Sequence, residues 1–258
     1  MDKREKEGVI LVIICVFIHG ALPILGKYGV SLIHPLFFAA MANLIAAASL
    51  IIFILIRKNS LRLLINKKYF ISLLFIAFFG TTLSNIFFFY GVRLTSGINS
   101  AILLQVEPIY ALLIGYLLLQ ERITLRQIIS TFIIVFGTIL VVYQGTMQLN
   151  WGDLLVLATP LCYQIGHFIT KRLLNQNDLN PLLIAAGRTF YGGIFLLIIN
   201  QLAGIREFDR LRETNILGIL IFYGVIIYAL TYYTFYESIK RINLSKATAI
   251  ISAYPAVS

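Results

Sequence analysis

Two stretches decide how this chain folds: GVILVIICVFIHGALPILGKY, Gly8–Tyr28, and GDLLVLATPLCYQIGHFITKR, Gly152–Arg172. They overlay without a gap at an offset of 144 residues, so that Lys27 falls on Lys171 and His19 on Tyr163. The correspondence continues outward. Pro35 meets Pro181 with Ala39-Ala40 over Ala185-Ala186, and Arg93-Leu94 and Pro108 meet Lys240-Arg241 and Pro255. The offset drifts only to 147. Apolar helices look alike by composition, but coincident Lys, Ala-Ala and Pro landmarks point to an internal duplication.

Composition says what kind of helices these are. Of 258 residues, 59% are hydrophobic and only 12% charged, with a mean hydropathy of +0.89. Soluble domains carry roughly 25% charged residues, so a soluble globular fold is excluded, as are disordered and collagen-like chains. The apolar runs are Gly8–Tyr28, Pro35–Ile56, Tyr69–Tyr90, Ser96–Leu118, Leu125–Tyr143, Gly152–Thr170, Pro181–Ala203 and Asn215–Tyr236, with a ninth opening at Ser245. Each complete run can cross about 30 Å of hydrocarbon at 1.5 Å per residue. The alternation of barrel strands is absent. Lys3, Arg4 and Lys6 precede the first run in the manner of a signal peptide. That run is long, has no small-x-small cleavage site and is followed by more spans, so it reads as a retained helix. Cys15 and Cys162 lie inside apolar runs without a C-x-x-C pattern and read as packed small hydrophobes, with no disulfide framework or metal site.

The net charge of +10 would suggest nucleic acid in a soluble protein; here it reads as an orientation signal. With the N-terminus in the cytoplasm, the inner segments hold fifteen Lys and Arg and the outer segments five, a strong positive-inside bias. Five spans per copy is an odd number, so the second copy enters the membrane from the opposite side. Oppositely oriented halves around a midplane site are the arrangement of many secondary transporters. The expected fold is therefore an all-α polytopic membrane protein built from an inverted repeat of five-helix units, residues 1–150 and 151–258. In the overlay the partner of Ile109–Asn150 falls beyond Ser258, so the second copy is expected to be truncated within its ninth helix and to lack the tenth.

With the repeat in place, the segment Tyr90-Gly-Val-Arg-Leu-Thr-Ser through Leu104-Gln-Val-Glu-Pro108, then Leu119-Gln-Glu-Arg122 and Phe136-Gly137-Thr-Ile-Leu-Val-Val142, resembles the EamA-type ten-helix transporters of the drug/metabolite transporter superfamily. A Glu-Pro in the fourth helix, a Glu-Arg closing it and a Gly in the fifth are all present. The second copy departs, reading Tyr254-Pro255 in place of Glu-Pro. The resemblance implies ten helices, termini in the cytoplasm and alternating-access movement of small metabolites, and it fixes no substrate.

Glu107 sits near the middle of its span, where a carboxylate costs about 2.5–3.5 kcal/mol on insertion scales. It reads either as a substrate- or proton-binding group or as a neutral packing residue. Asn99, eight residues earlier, would share its helix face, and Gln105 lies beside it. Tyr163, Gln164 and His167 form one polar face, and His19, which overlays Tyr163, puts a polar ring at the same depth in the other copy. Asn85 overlays Tyr232, and Ser252 and Tyr254 flank the second proline landmark. Together Glu107, Gln105, Asn99, His19, Asn85, Tyr163, Gln164, His167, Tyr232, Ser252 and Tyr254 form the expected solute-contacting set. Pro23, Pro108, Pro160 and Pro255 are the expected kinks or hinges, freeing the carbonyls of His19, Leu104, Val156 and Ile251. Arg188, seven residues into its span and about 10 Å deep, reads as snorkelling to the interface. Tyr236 and Tyr90 read as interfacial belt tyrosines, and Ala42 with Ala46 as a small-x-x-x-small packing pair.

The function this supports is a secondary transporter of small organic metabolites, amino-acid-like or drug-like, in the cytoplasmic membrane and working as an exporter. Its partners would be the solute, the lipid bilayer and a proton as coupling ion, with no cofactor and no catalytic residue. A non-transporting scaffold or receptor would need long soluble loops, which are absent. An intramembrane enzyme would need an H-E-x-x-H, a P-loop or paired catalytic groups, and none occurs.

Overall fold

The computed structural model describes residues 2–58, 60–142, 150–176 and 179–254, and every regular element there is a helix. Among the described residues, Lys3–Leu32, Pro35–Ile56, Lys67–Leu94, Pro181–Leu202 and Thr214–Ile239 are long and apolar enough to cross a membrane. Ile102–Leu117 and Leu125–Gly137 are shorter apolar helices. Large side chains such as Ile10, Phe17, Ile52, Ile71, Phe132 and Leu154 face outward and exposed, an apolar rim suited to lipid. Fully buried Arg188, Asn43 and Asn85 lie inside. An apolar core that also holds buried polar groups, inside an apolar outer surface, is what a hydrocarbon surrounding selects.

Local chemistry explains where helices stop. The first run divides into α1 (Lys3–His19) and α2 (Leu22–Leu32). Pro23 therefore stands in the first turn of α2, where its missing N–H breaks no intrahelical bond. The span Lys3–Leu32 is interrupted only at Gly20–Ala21, both right-handed helical in conformation, just before the proline expected to kink it. α3 (Pro35–Ile56) follows, capped by His34, whose Nδ1 accepts from the Leu36 N–H. The third span runs from α4 (Lys67–Ala77) to α5 (Ser84–Leu94) through a π-helical segment at Phe78–Leu83.

The fourth run divides as the first does, into α6 (Gly97–Leu104) and α7 (Glu107–Leu117), with Pro108 in the first turn of α7. α8 (Leu125–Val142) precedes α9 (Trp151–Asn175), which opens on a capping box between Asn150 and Asp153 and runs unbroken through Pro160. α10 (Pro181–Leu202) leads to a span in which α11 (Thr214–Phe222) and α12 (Thr231–Ile239) flank a second π-helical segment, Tyr223–Leu230. α13 (Leu244–Ile251) opens the ninth run. Pro255 lies outside the described residues.

Close helix contacts are made at glycines. A Cβ added to Gly152 would meet the Gly91 carbonyl at 2.9 Å, and one on Gly8 would meet Ile242 at 2.9 Å and Arg241 at 3.0 Å. Thus α9 presses on α5, and α1 presses on the end of α12, where the Ser238 hydroxyl donates to the Gly8 carbonyl at 2.8 Å. Gly224 approaches the Ala42 carbonyl, to 2.7 Å from an added Cβ, so the alanine pair on α3 does mark a close crossing. The two overlaid lysines make matching bonds. Lys27 Nζ donates to the Thr95 carbonyl at 3.1 Å, and Lys171 Nζ donates to the Ile242 carbonyl at 2.9 Å and to that of Ile239.

Candidate functional site

The break between α6 and α7 puts Glu107 in the first turn of a new helix, buried at 9% exposure. Its Oε1 accepts from Gln164 Nε2 at 2.9 Å, and the same Nε2 lies 3.5 Å from the Thr248 hydroxyl of α13. A buried carboxylate is thereby tied to α9, and α9 to α13. One turn along α9, His167 shares a face with Tyr163 (ring centroids 6.5 Å apart) and packs on Phe235 at 4.8 Å. His19, at the end of α1, meets the Tyr254 ring edge-on at 4.9 Å.

Arg188 corrects the sequence reading. Instead of snorkelling it is wholly buried. Its Nε donates to the Thr81 hydroxyl at 3.0 Å, Nη1 to the Tyr236 hydroxyl at 2.7 Å, and Nη2 to the Gly80 carbonyl. Gly80 and Thr81 belong to the first π-helical segment, where the i→i+5 pattern re-aims backbone carbonyls. A Cβ on Gly80 would stand at ordinary contact distance from the guanidinium, 3.4 Å from its carbon, and the tight approach at this point is between Gly80 and Gly166 of α9, where a Cβ on Gly166 would meet Gly80 Cα at 2.7 Å. Tyr236, expected at the interface, is fully buried as its acceptor. A signal for this was present in the sequence: the 146-residue offset that aligns the two proline-led spans sets Arg188 over Ala42, a position already read as a tight helix crossing.

The rings of Tyr228, in the second π-helical segment, and of Tyr232 and Tyr236, on α12, stack in sequence with centroids 5.4 and 6.4 Å apart. The Arg188 guanidinium lies 4.0 Å from the Tyr232 centroid and 5.9 Å from those of Tyr163 and Tyr236, a cation–π cage in a desolvated setting. His19, Glu107, Tyr163, His167, Arg188 and Tyr232 line a cavity of about 30 Å³ together with Leu22, Thr231, Phe235 and Ile251. That is room for about two waters. It is roughly a tenth of a small-molecule pocket.

Of the expected solute-contacting set, His19, Glu107, Tyr163, His167 and Tyr232 border the cavity, and Gln164 holds Glu107. Tyr254 reaches it through His19. Gln105 is buried at the helix break. The others lie elsewhere. Asn99 reaches toward Asp153 Oδ1 at 3.5 Å, because the interruption after Leu104 ends the helix face it was to share with Glu107, and eight residues span about 12 Å in any case. Asn85 accepts from the Tyr228 hydroxyl at 2.6 Å. Ser252 returns its hydroxyl proton to the Thr248 carbonyl of its own helix at 2.8 Å.

The fold and the cavity define a helical, multi-pass membrane protein with polar and charged side chains gathered among its spans. The chain belongs to the EamA-like transporter family, whose profile it matches over residues 6–143 and 150–258. It is similar to an uncharacterized transporter of Bacillus subtilis, YyaM, with 25% identity over 92% of this chain and 79% of that protein. An uncharacterized transporter of Methanothermobacter thermautotrophicus is 26% identical over 78% of this chain and 63% of its own length. One solved crystal structure shares the fold at a TM-score of 0.79 and 15% identity, covering 98% of this chain and 85% of that one. The protein is accordingly a multi-pass membrane transporter of a small-molecule solute.

Proposed function

We propose that this transporter is a secondary carrier of small organic metabolites, amino-acid-like or drug-like, which it exports by alternating access with Glu107 as a proton-binding group. Residues 1–150 and 151–258 are its two halves, inverted in the cytoplasmic membrane with the N-terminus inside. The observation that carries this reading is the cavity, which takes side chains from both halves: His19 and Glu107 from one, His167, Arg188 and Tyr232 from the other. A site shared between two bodies is the one that changes exposure when they rock. The reciprocal contacts of Gly152 with Gly91 and Gly8 with the end of α12 support the same reading. So does the similar pairing of Lys27 and Lys171 with carbonyls in their own halves. A cavity of about 30 Å³ must widen to hold a metabolite, and the helix breaks at Gly20–Ala21 and Gln105–Val106 are where the backbone can absorb that motion.

The test is flux of a metabolite panel in proteoliposomes at opposed pH gradients. Net movement of at least one metabolite, accelerated by an opposing proton gradient, is the expected result. No movement of any panel member would remove the carrier reading.

A further inference from the structure

The geometry points to Arg188 as the anion-recognition centre of the carrier, so that the transported solute bears a carboxylate held by the guanidinium against the Tyr163–Tyr232 wall. This rests on the carrier reading above and narrows it to a chemical class.

A guanidinium has five N–H donors in one plane. Three of them go to Thr81, Tyr236 and Gly80. All three acceptors are formally neutral, and among the described residues no carboxylate lies within 4.0 Å of the group. The remaining two N–H groups, one on each terminal nitrogen, have no partner among the described residues, and Arg188 borders the cavity. Free N–H groups on both terminal nitrogens give a carboxylate two charge-assisted donors. The π face of Tyr232 at 4.0 Å holds the cation in place without neutralising it.

Electrostatics argues the same way. A wholly buried, unpaired cation in the middle of a bilayer is costly, and intramembrane charges ordinarily meet a counter-charge or line a solute path. Glu107 borders the same cavity and bears on the arginine at longer range, but it forms no ion pair with it within 4.0 Å, and its Oε1 accepts from Gln164. His19 Nδ1, His167 Nδ1 and Gln164 Oε1 are also buried and unpaired among the described residues, so polar capacity around the cavity is left over for a solute. A structural staple would need the three bonds already made, and would not need two free donors beside the cavity.

The probes are monocarboxylates from lactate to phenylacetate, each against its primary amide, with the purified full chain. Binding is read as ligand-dependent thermal stabilisation, and flux is read in proteoliposomes. At least one acid is expected to bind about tenfold or more tighter than its amide, as two charge-assisted bonds allow. Arg188→Gln should erase that preference, and Arg188→Lys, which keeps the charge and loses the fork, should leave it reduced. Equal binding of acids and amides, no binding of any acid, or an undiminished preference in Arg188→Gln would overturn the assignment. If Arg188→Gln does not fold, the acid-against-amide comparison on the unsubstituted chain decides alone. Acid binding with no flux would overturn the carrier reading and keep the assignment. Flux of neutral solutes with no acid preference would do the reverse.

Discussion

The guanidinium of Arg188 lies 4.0 Å from the centre of the Tyr232 ring, inside the bundle and out of contact with solvent. A desolvated cation–π contact is worth about 2 kcal/mol. Tyr232→Leu should therefore lower the unfolding midpoint in detergent, whereas Tyr232→Phe, which keeps the ring face, should stay close to the unsubstituted chain. Equal losses in the two variants would show that the hydroxyl, and not the ring, supports the arginine.

Glu107 accepts one hydrogen bond from Gln164, and a glutamine amide oxygen can accept the same bond. Glu107→Gln is thus predicted to reach the membrane in normal amount and to flatten the pH dependence of solute flux. A pH profile that keeps its shape in the variant would take the proton-binding role away from this residue.

Glu121 closes one end of the molecule against α13. Its Oε1 accepts from the Leu244 N–H at 2.7 Å, and its Oε2 from the Ser245 hydroxyl at 2.7 Å and N–H at 3.2 Å. A carboxylate on the free N–H groups of a helix start is favourable in both hydrogen bonding and dipole sense. Glu121→Ala should cost about 1–3 kcal/mol, read as a lowered midpoint and faster hydrogen exchange in the first turn of α13. An unchanged exchange rate there would contradict the contact.

Gly152 and Gly218 make a matched pair. An alanine methyl at Gly152 would stand 2.8 Å from Leu94 Cβ and 2.9 Å from the Gly91 carbonyl, while at Gly218 it meets nothing within 4 Å. Overpacking costs typically 1–3 kcal/mol, so Gly152→Ala should destabilise and Gly218→Ala should not. Equal midpoints for the two variants would refute the close α5–α9 crossing.

His34 lies in the turn between α2 and α3, where its N–H donates to Glu207 Oε2 at 2.6 Å and its Nδ1 caps α3. Burial holds the imidazole below its ordinary pKa, the Glu207 carboxylate works upward against this, and Arg93 works downward. A histidine with a depressed folded pKa binds fewer protons folded than unfolded, so stability rises with pH. Its contribution is full above the unfolded value of about 6.5 and fades as pH falls below it. His34→Asn keeps a capping side chain and cannot titrate. It should remove part of the stability loss between pH 7 and pH 5 in thermal scans, and an unchanged slope would exclude His34 as a cause.

Much of the architecture was legible because hydrocarbon leaves few choices. The runs Pro35–Ile56 and Pro181–Ala203 recur as α3 and α10 with nearly the same ends, since Asn180 and His34 cap helices whose prolines stand in the first turn. The first and fourth runs were read with kinks at Pro23 and Pro108, and each is interrupted for two residues just before its proline, at Gly20–Ala21 and Gln105–Val106. Hydropathy averages over a break, and Pro23 and Pro108 mark a boundary as readily as a kink. The π-helical segments left no trace in composition. Among polar residues, Glu107, Tyr163 and His167 were visible as ionisable or ring groups at mid-span. Arg188 was missed because depth along a helix says nothing about which way a long side chain runs.

Membrane residence, helical class and the twofold echo in the chain come from the order of residues alone, because removing water makes each backbone group depend on its own segment and so ties structure to local pattern. Which polar groups meet was decided elsewhere. Arg188 finds the Gly80 carbonyl, Tyr236 and Tyr232 only when three separate spans are packed side by side, and a π-helical carbonyl, a hydroxyl and a ring face coincide around the buried cation. Such a coincidence is a property of the packed bundle, where contact between residues far apart in sequence sets the energy.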